Sequence, residues 1–212
     1  MNIDKLDTGD ILLFCHDCKG WFNSFLNMIK YATHSNYVHV GMIVKDPDFL
    51  DTPMKGIYMW ESGYEGTPDT QDDKIKLGVQ LTPINKIIEH YKHANILVRI
   101  LNKDNNKKYF TKDTLTEIHK NAYLKPYDIN LLDWVLAFFR YDTQKQKTSR
   151  FWCSAFVGYI LTKSGILKSD TDWSIMYPCD FSLDAEKLEY EDAHTKYQPV
   201  EYKLNFVKNN MP

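Results

Sequence analysis

The chain has 212 residues, enough for one well-buried domain, and its formal net charge of −2 gives no support for a nucleic-acid footprint, which shows as a clustered basic face. The short basic stretch at Lys103, Lys107 and Lys108 is broken by Asp104 and Asn105 and reads as a solvated loop. No apolar run approaches the roughly 18–20 residues that span a bilayer, and Met1-Asn2-Ile3-Asp4-Lys5 lacks the basic and apolar regions of a signal peptide, so the expectation is a cytoplasmic, intracellular soluble protein whose 4 cysteines are reduced.

Gly9-Asp10 is a turn that feeds a strand, Ile11-Leu12-Leu13-Phe14. Phe22, Phe25, Leu26 and Ile29 recur at helical spacing, which predicts an amphipathic helix over Trp21 to Tyr31. Tyr37 to Val44 alternates as a strand, with Val38, Val40, Met42 and Val44 on one face and His39, Gly41 and Ile43 on the other. In that pattern Gly41 leaves space beside the imidazole. A loop at about 46–55 is marked by Pro47, Asp48, Asp51 and Pro53. Ile57 to Glu61 is a third strand, and the polar segment Gly63 to Lys74 reads as a mobile loop or flap.

Val79 to Leu81 is a fourth strand. Thr82 and Pro83 are suited to N-cap and N1 of a helix through Tyr91. Ile96 to Leu101 is a further strand, and Thr111 caps a helix that reaches Leu124, with Leu115, Ile118, His119 and Ala122 on one face. Lys125-Pro126-Tyr127-Asp128 ends that helix, and Leu131 to Phe139 is apolar enough to be buried. Cys153 opens a helix that runs to Gly165, a suitable C′ glycine. The tail from Trp173 is aromatic and acidic without a period. These elements predict an α+β fold with a mostly antiparallel sheet and packed helices, in a single domain over 1–212 with loop insertions at about 46–55 and 63–74.

Two polar residues sit in apolar runs that do not need them for folding, His39 in its strand and Cys153 at the mouth of its helix. A thiol and a base are the minimum set for nucleophilic catalysis. Thiols attack as thiolates, and the first turn of a helix favours that anion through its unpaired N–H groups and the macrodipole. The Cys153 N–H is also placed to serve an oxyanion site. The third group, which orients the imidazole, is assigned to Glu61 on the following strand, with Asn36 and Asp128 as rivals. The plain alternatives are a small buried cysteine, a core histidine and a solvated carboxylate. Tyr127, Trp152 and Tyr37 flank these motifs and are candidates to line a substrate groove.

The order Gly9-Asp10-Ile11-Leu12-Leu13-Phe14, then His39-Val40-Gly41-Met42-Ile43-Val44, then Cys153-Ser154-Ala155-Phe156-Val157 resembles the NlpC/P60 superfamily of papain-like cysteine hydrolases. Common members place the cysteine helix first, whereas here it comes last. That order is similar to the circularly permuted branch, which includes the YiiX-like proteins and poxvirus relatives. Lys125-Pro126-Tyr127-Asp128 and Tyr177-Pro178-Cys179-Asp180 resemble elements before and after the cysteine helix of that branch. The resemblance implies a permuted papain-like fold, with Cys153 as nucleophile, His39 as base and Glu61 as third polar residue.

It also implies a thiol hydrolase working through an acyl-enzyme, either an amidase or peptidase or an acyl-ester hydrolase or acyltransferase. The substrate expected is a small acyl, amide or lipid-like molecule, with no cofactor and no metal. The alternatives are a catalytically silent ligand-binding module or a structural, virion-associated protein of the same fold. Cys15-His16-Asp17-Cys18 has the spacing of half a zinc site but no recognisable second half, so a loop is the reading preferred. Ser154 is not set in a nucleophile elbow.

Overall fold

A computed structural model describes residues 1–15, 35–92, 94–102, 106–125, 151–184, 187–192 and 194–204. The expected helix over Trp21 to Tyr31, the apolar run Leu131 to Phe139 and the Cys18 half of the C-x2-C pair lie outside the described residues.

Six antiparallel strands form one sheet in the order β4-β3-β2-β1-β5-β6. They are β1 (Ile11–Cys15), β2 (Tyr37–Lys45), β3 (Ile57–Gly63), β4 (Gly78–Pro83), β5 (Asn95–Leu101) and β6 (Tyr197–Lys203). Three α-helices longer than one turn and a half accompany them among the described residues: α1 (Ile84–His90), α2 (Lys112–Ala122) and α3 (Cys153–Lys163). The α+β class and the antiparallel sheet agree with the sequence pattern.

Each face of the sheet carries its own apolar layer. Ile11, Leu13, Val40, Met42, Val44, Trp60 and Leu81 pack with α2 and α3. Leu12, Phe14, Ile43, Met59, Ile96 and Val98 pack with Ile84 and Ile87 of α1 on the other side. Alternation along β1 to β5 therefore sets which helix each strand residue meets.

The alternation breaks in β2, and the break matters. Phe14 pairs with His39 and Cys15 with Tyr37, so Val38 is the extra residue of a bulge. Val38 consequently joins the α1 layer instead of the Val40, Met42 and Val44 face expected for it.

The Gly9-Asp10 pair has a structural use. Gly9 takes φ +94, a left-handed value that glycine tolerates best. Asp10 is buried and accepts from the N–H groups of Asp7 (2.9 Å) and Leu101 (3.0 Å), tying the start of β1 to β5. The loop after β2 is less open than its prolines and aspartates suggest. Asp46 accepts from Gly56 N–H at 2.8 Å, closing the loop at its base, and Phe49 and Leu50 enter the core.

Three expectations change with the structure. Thr82 does not cap α1: the N-cap is Pro83, without a side-chain bond, while Thr82 remains in β4 and turns its hydroxyl to Glu61. The segment Gly63 to Lys74 is not a free flap. Buried Asp69 pins it by accepting from Gln71 N (3.0 Å) and Leu81 N (3.3 Å), with Lys76 paired to the same carboxylate at 2.5 Å. The tail contains β6, whose exposed Val200 and Tyr202 and half-polar pattern mark an edge strand; edge strands need no apolar alternation on their open side. By contrast Thr111 caps α2 as its sequence indicates, accepting from Thr114 N at 3.2 Å, although the helix stops at Ala122.

Candidate active site

The position of Cys153 is fixed by what surrounds α3. Every residue from Cys153 to Thr162 is buried, as expected of a helix that is apolar nearly all round. Phe156 meets Trp60 of β3 edge to face at 5.3 Å. A Cβ on Gly158 would lie 2.7 Å from Met176 Sδ and 2.8 Å from Trp173 Cβ, so only glycine lets the helix approach that segment this closely. Ser154 donates to the Met176 carbonyl at 2.6 Å, and Ser62 of β3 donates to the Phe151 carbonyl at 2.7 Å just before the helix. At the far end Gly165 (φ +75) closes a Schellman motif: its N–H reaches the Thr162 carbonyl (3.0 Å) and Ile166 N–H the Leu161 carbonyl (2.9 Å).

Trp152 holds the N-cap position and offers no side-chain acceptor to the first turn. The amides at the mouth of α3 are thus uncapped by their N-cap residue, and Cys153 stands among them. An anion there gains from both the N–H groups and the macrodipole.

His39 reaches this thiol from β2. Its Nε2 lies 2.5 Å from Glu61 Oε2, and the imidazole interacts electrostatically with Cys153. The ring is held by Phe14 (centroids 5.3 Å apart) and lies nearly parallel to Tyr91 (6.3 Å, 8°). Space beside it comes from Gly63, not from Gly41. A Cβ at Gly63 would sit 3.2 Å from His39 Cε1 and 3.0 Å from Glu61 Oε2, whereas one at Gly41 would strike the Met59 side chain.

Glu61 is fully buried, and behind it lies a second buried carboxyl, Glu65. Thr82 donates to Glu61 Oε1 at 3.5 Å, Glu65 hydrogen-bonds Glu61, and the Tyr91 hydroxyl donates to Glu65 Oε1 at 3.1 Å. One imidazole nitrogen and one oxygen from each carboxyl fall within 4.8 Å of one another. A His-Glu-Glu cluster of this size is also a set of donors that a divalent ion accepts.

The groups titrate as a set. Burial works against the imidazolium, but the charge and hydrogen bond of Cys153, with the charge of Glu65, outweigh it and hold His39 above the usual histidine value. Burial pushes Glu61 up to about 8, against the hydrogen bonds it receives from Glu65 and Thr82. Burial and then repulsion from Glu61 push Glu65 up to about 8 as well. A contact as short as that between His39 and Glu61 belongs with charge-assisted hydrogen bonds, so the imidazole favours the charged form of Glu61 over that of Glu65.

The other sequence candidates lie elsewhere. The ring of Tyr37 is in the core, and its hydroxyl donates to Glu201 (3.0 Å) and Asp184 (3.4 Å). Trp152 is half-buried beside Cys153 and packs on the core under α3. Asn36 is exposed before β2. Tyr127 and Asp128 fall outside the described residues. Sequence reasoning missed Glu65, Gly63, Tyr91 and Thr82. A signal for the first two was available: continuing the two-residue period of β3 past its end places Gly63 and Glu65 on the side of Glu61.

No family model matches the chain, and no curated protein matches it at a significant level.

Proposed function

We propose that this protein is a thiol hydrolase of the permuted papain-like type, with Cys153 as nucleophile, His39 as general base and acid, and Glu61 orienting His39. The observation that carries the reading is one imidazole that meets a buried carboxyl on one side and acts on a thiol at a helix N-terminus on the other. In the reaction the Cys153 thiol gives its proton to His39, and its sulfur attacks the carbonyl carbon of an amide or ester and forms a C–S bond. The carbonyl oxygen becomes an oxyanion, for which the first-turn amides of α3 are suitable donors. Protonated His39 gives its proton to the leaving nitrogen or oxygen as the C–N or C–O bond breaks. Water then attacks the thioester and loses a proton to His39, the C–S bond breaks to release the acid, and His39 returns the proton to the Cys153 sulfur; a different acceptor in place of water makes the same site an acyltransferase. Small acyl-amide, acyl-ester or lipid-like substrates fit this chemistry. No helix among the described residues is long and apolar enough to cross a membrane.

A silent binding module of the same fold is the second reading, and the burial of Cys153 favours it. Cys179 offers an internal control because it is buried to the same degree, 5% exposed against 4% for Cys153. Iodoacetamide at about pH 6.5, with the labelled sites mapped by mass spectrometry, is expected to modify Cys153 at least about tenfold faster than Cys179. His39→Ala should remove that preference. Equal labelling of both cysteines, unaffected by His39→Ala, refutes the hydrolase reading.

A further inference from the structure

We propose that Glu65 is held as a neutral carboxylic acid that donates its proton to Glu61, so that the two carboxyls share one negative charge against His39, which makes Glu65 a positioning residue of the thiol site. The inference rests on the hydrolase reading and deepens it.

The geometry assigns the proton. Glu65 is only 2% exposed, and no lysine or arginine pairs with it among the described residues. Its Oε1 accepts from Tyr91, while no donor reaches its buried Oε2, the oxygen left to carry a proton. A carboxylate with one buried oxygen unsatisfied is costly, and a carboxylic acid in the same place is far less so. Glu61 differs, since it accepts from Thr82 and lies 2.5 Å from the imidazole. Two carboxylates in one sealed site repel, so one keeps a proton, and the member without the imidazole is Glu65. The charged and titratable groups facing it are Glu61 from β3, His39 from β2, and His90 and Tyr91 from the end of α1. Asp69 and Cys153 complete the surroundings, Asp69 acting on Glu61 and Cys153 on His39 and Tyr91. The result is a relay of donors, from Tyr91 to Glu65 to Glu61, ending at the imidazole. It holds the charge of Glu61 where His39 needs it.

Glutamine is a good replacement for a neutral glutamic acid, because its amide N–H also donates to Glu61, whereas alanine supplies no donor. Two readouts test the idea: the alkylation rate of Cys153 with iodoacetamide and the NMR titration of the His39 ring. Glu65→Ala should slow alkylation at about pH 6.5 by about tenfold or more, and Glu65→Gln should recover most of that loss. In Glu65→Gln the His39 titration should move to lower pH and lose its coupled second step, since the charge that Glu65 acquires at high pH never appears. Tyr91→Phe, which leaves the packing largely intact, should shift the His39 titration even if Glu65→Ala fails to fold.

The proposal is overturned if Glu65→Gln is as slow as Glu65→Ala, which would mean that the site uses the charge of Glu65 and not its proton. A His39 titration that keeps its coupled second step in Glu65→Gln also overturns it. So does Zn²⁺ that perturbs the His39 ring at stoichiometric addition in the wild type but not in Glu65→Gln, an outcome that makes the cluster a metal site. Failure of the hydrolase reading looks different: His39→Ala would then leave Cys153 alkylation unchanged, while the His39 titration would still report on Glu65.

Discussion

Two histidines, one buried and one half-buried, lie close to the same strand, and their neighbours give them opposite properties. His119 of α2 packs among Phe49, Trp60 and Tyr123 and bonds the neutral amide of Gln71 at 2.5 Å. Burial holds it below the usual histidine value, so it stays uncharged. Gln71 in turn bonds Asp69, and Asp69 is matched by Lys76 and by backbone N–H groups. Asp69 and Asp72 thus each have a cation and hydrogen-bond donors. On the other side of the sheet His39 faces Glu61 and Glu65 with no lysine or arginine among the described residues to balance them. Burial alone therefore does not mark a functional group. What separates the two regions is whether the buried charge has been compensated, and uncompensated titratable groups in contact with a nucleophile are what chemistry requires.

Substituting the two histidines in parallel is the strongest way to break this comparison. His39→Gln should slow iodoacetamide alkylation of Cys153 by about a hundredfold, the size of effect expected when a base is removed. His119→Gln should leave the rate within about twofold and instead lower the melting temperature, because it disturbs an aromatic cluster. Similar rates for the two variants would erase the distinction.

The compensated region should fail through stability. Asp69→Asn leaves Lys76 beside a neutral group and removes a buried acceptor, which should cost about 3 kcal/mol in a denaturant titration. Alkylation of Cys153 in the folded fraction should be little changed. A cost below about 1 kcal/mol would mean that Lys76 is already satisfied by Asp72, its second partner at 3.2 Å.

The smallest expected effect is a dependence of stability on pH, and it sharpens the contrast. Glu61 and Glu65 are raised from 4.5 to about 8, so the folded state holds protons that the unfolded state has released. Their contribution is fully present below about pH 4.5 and is lost as pH rises towards 8; His39, also raised, acts in the same direction. Thermal melts should fall across that window, and Glu65→Gln should flatten the slope. At roughly 2–4 °C for each kcal/mol in a chain of this size, the change is measurable. A wild-type melt that rises with pH through this range contradicts a proton held by the carboxyl pair.

The parts of the molecule legible in the sequence were those where local pattern and tertiary role coincide. The periodic strands, the Thr111 cap and the glycine after α3 each follow from short-range chemistry. Glu61 was found because it lies one strand from His39. Glu65 was not, because Gly, Pro and Asp around it carry the composition of a solvated loop, and the buried Asp69 that folds this loop inward is indistinguishable in sequence from an exposed one. Thr82 looked like a cap because threonine before proline suits a helix start; its hydroxyl is claimed by Glu61 across the sheet. β6 was missed because Gln198, Pro199 and Glu201 break any apolar alternation, and only its pairing with β5 makes it a strand.

The distribution of the site along the chain also sets when it can be assembled during synthesis. His39 and Glu61 are separated by only 22 positions and lie on the neighbouring strands β2 and β3. That hairpin emerges from the ribosome early, and domains fold as their segments become available. Cys153 follows β5 by many residues, and its helix docks on β2 and β3 only afterwards. On the proposed reading, the nascent chain thus carries its base and carboxyl partner before it carries its nucleophile.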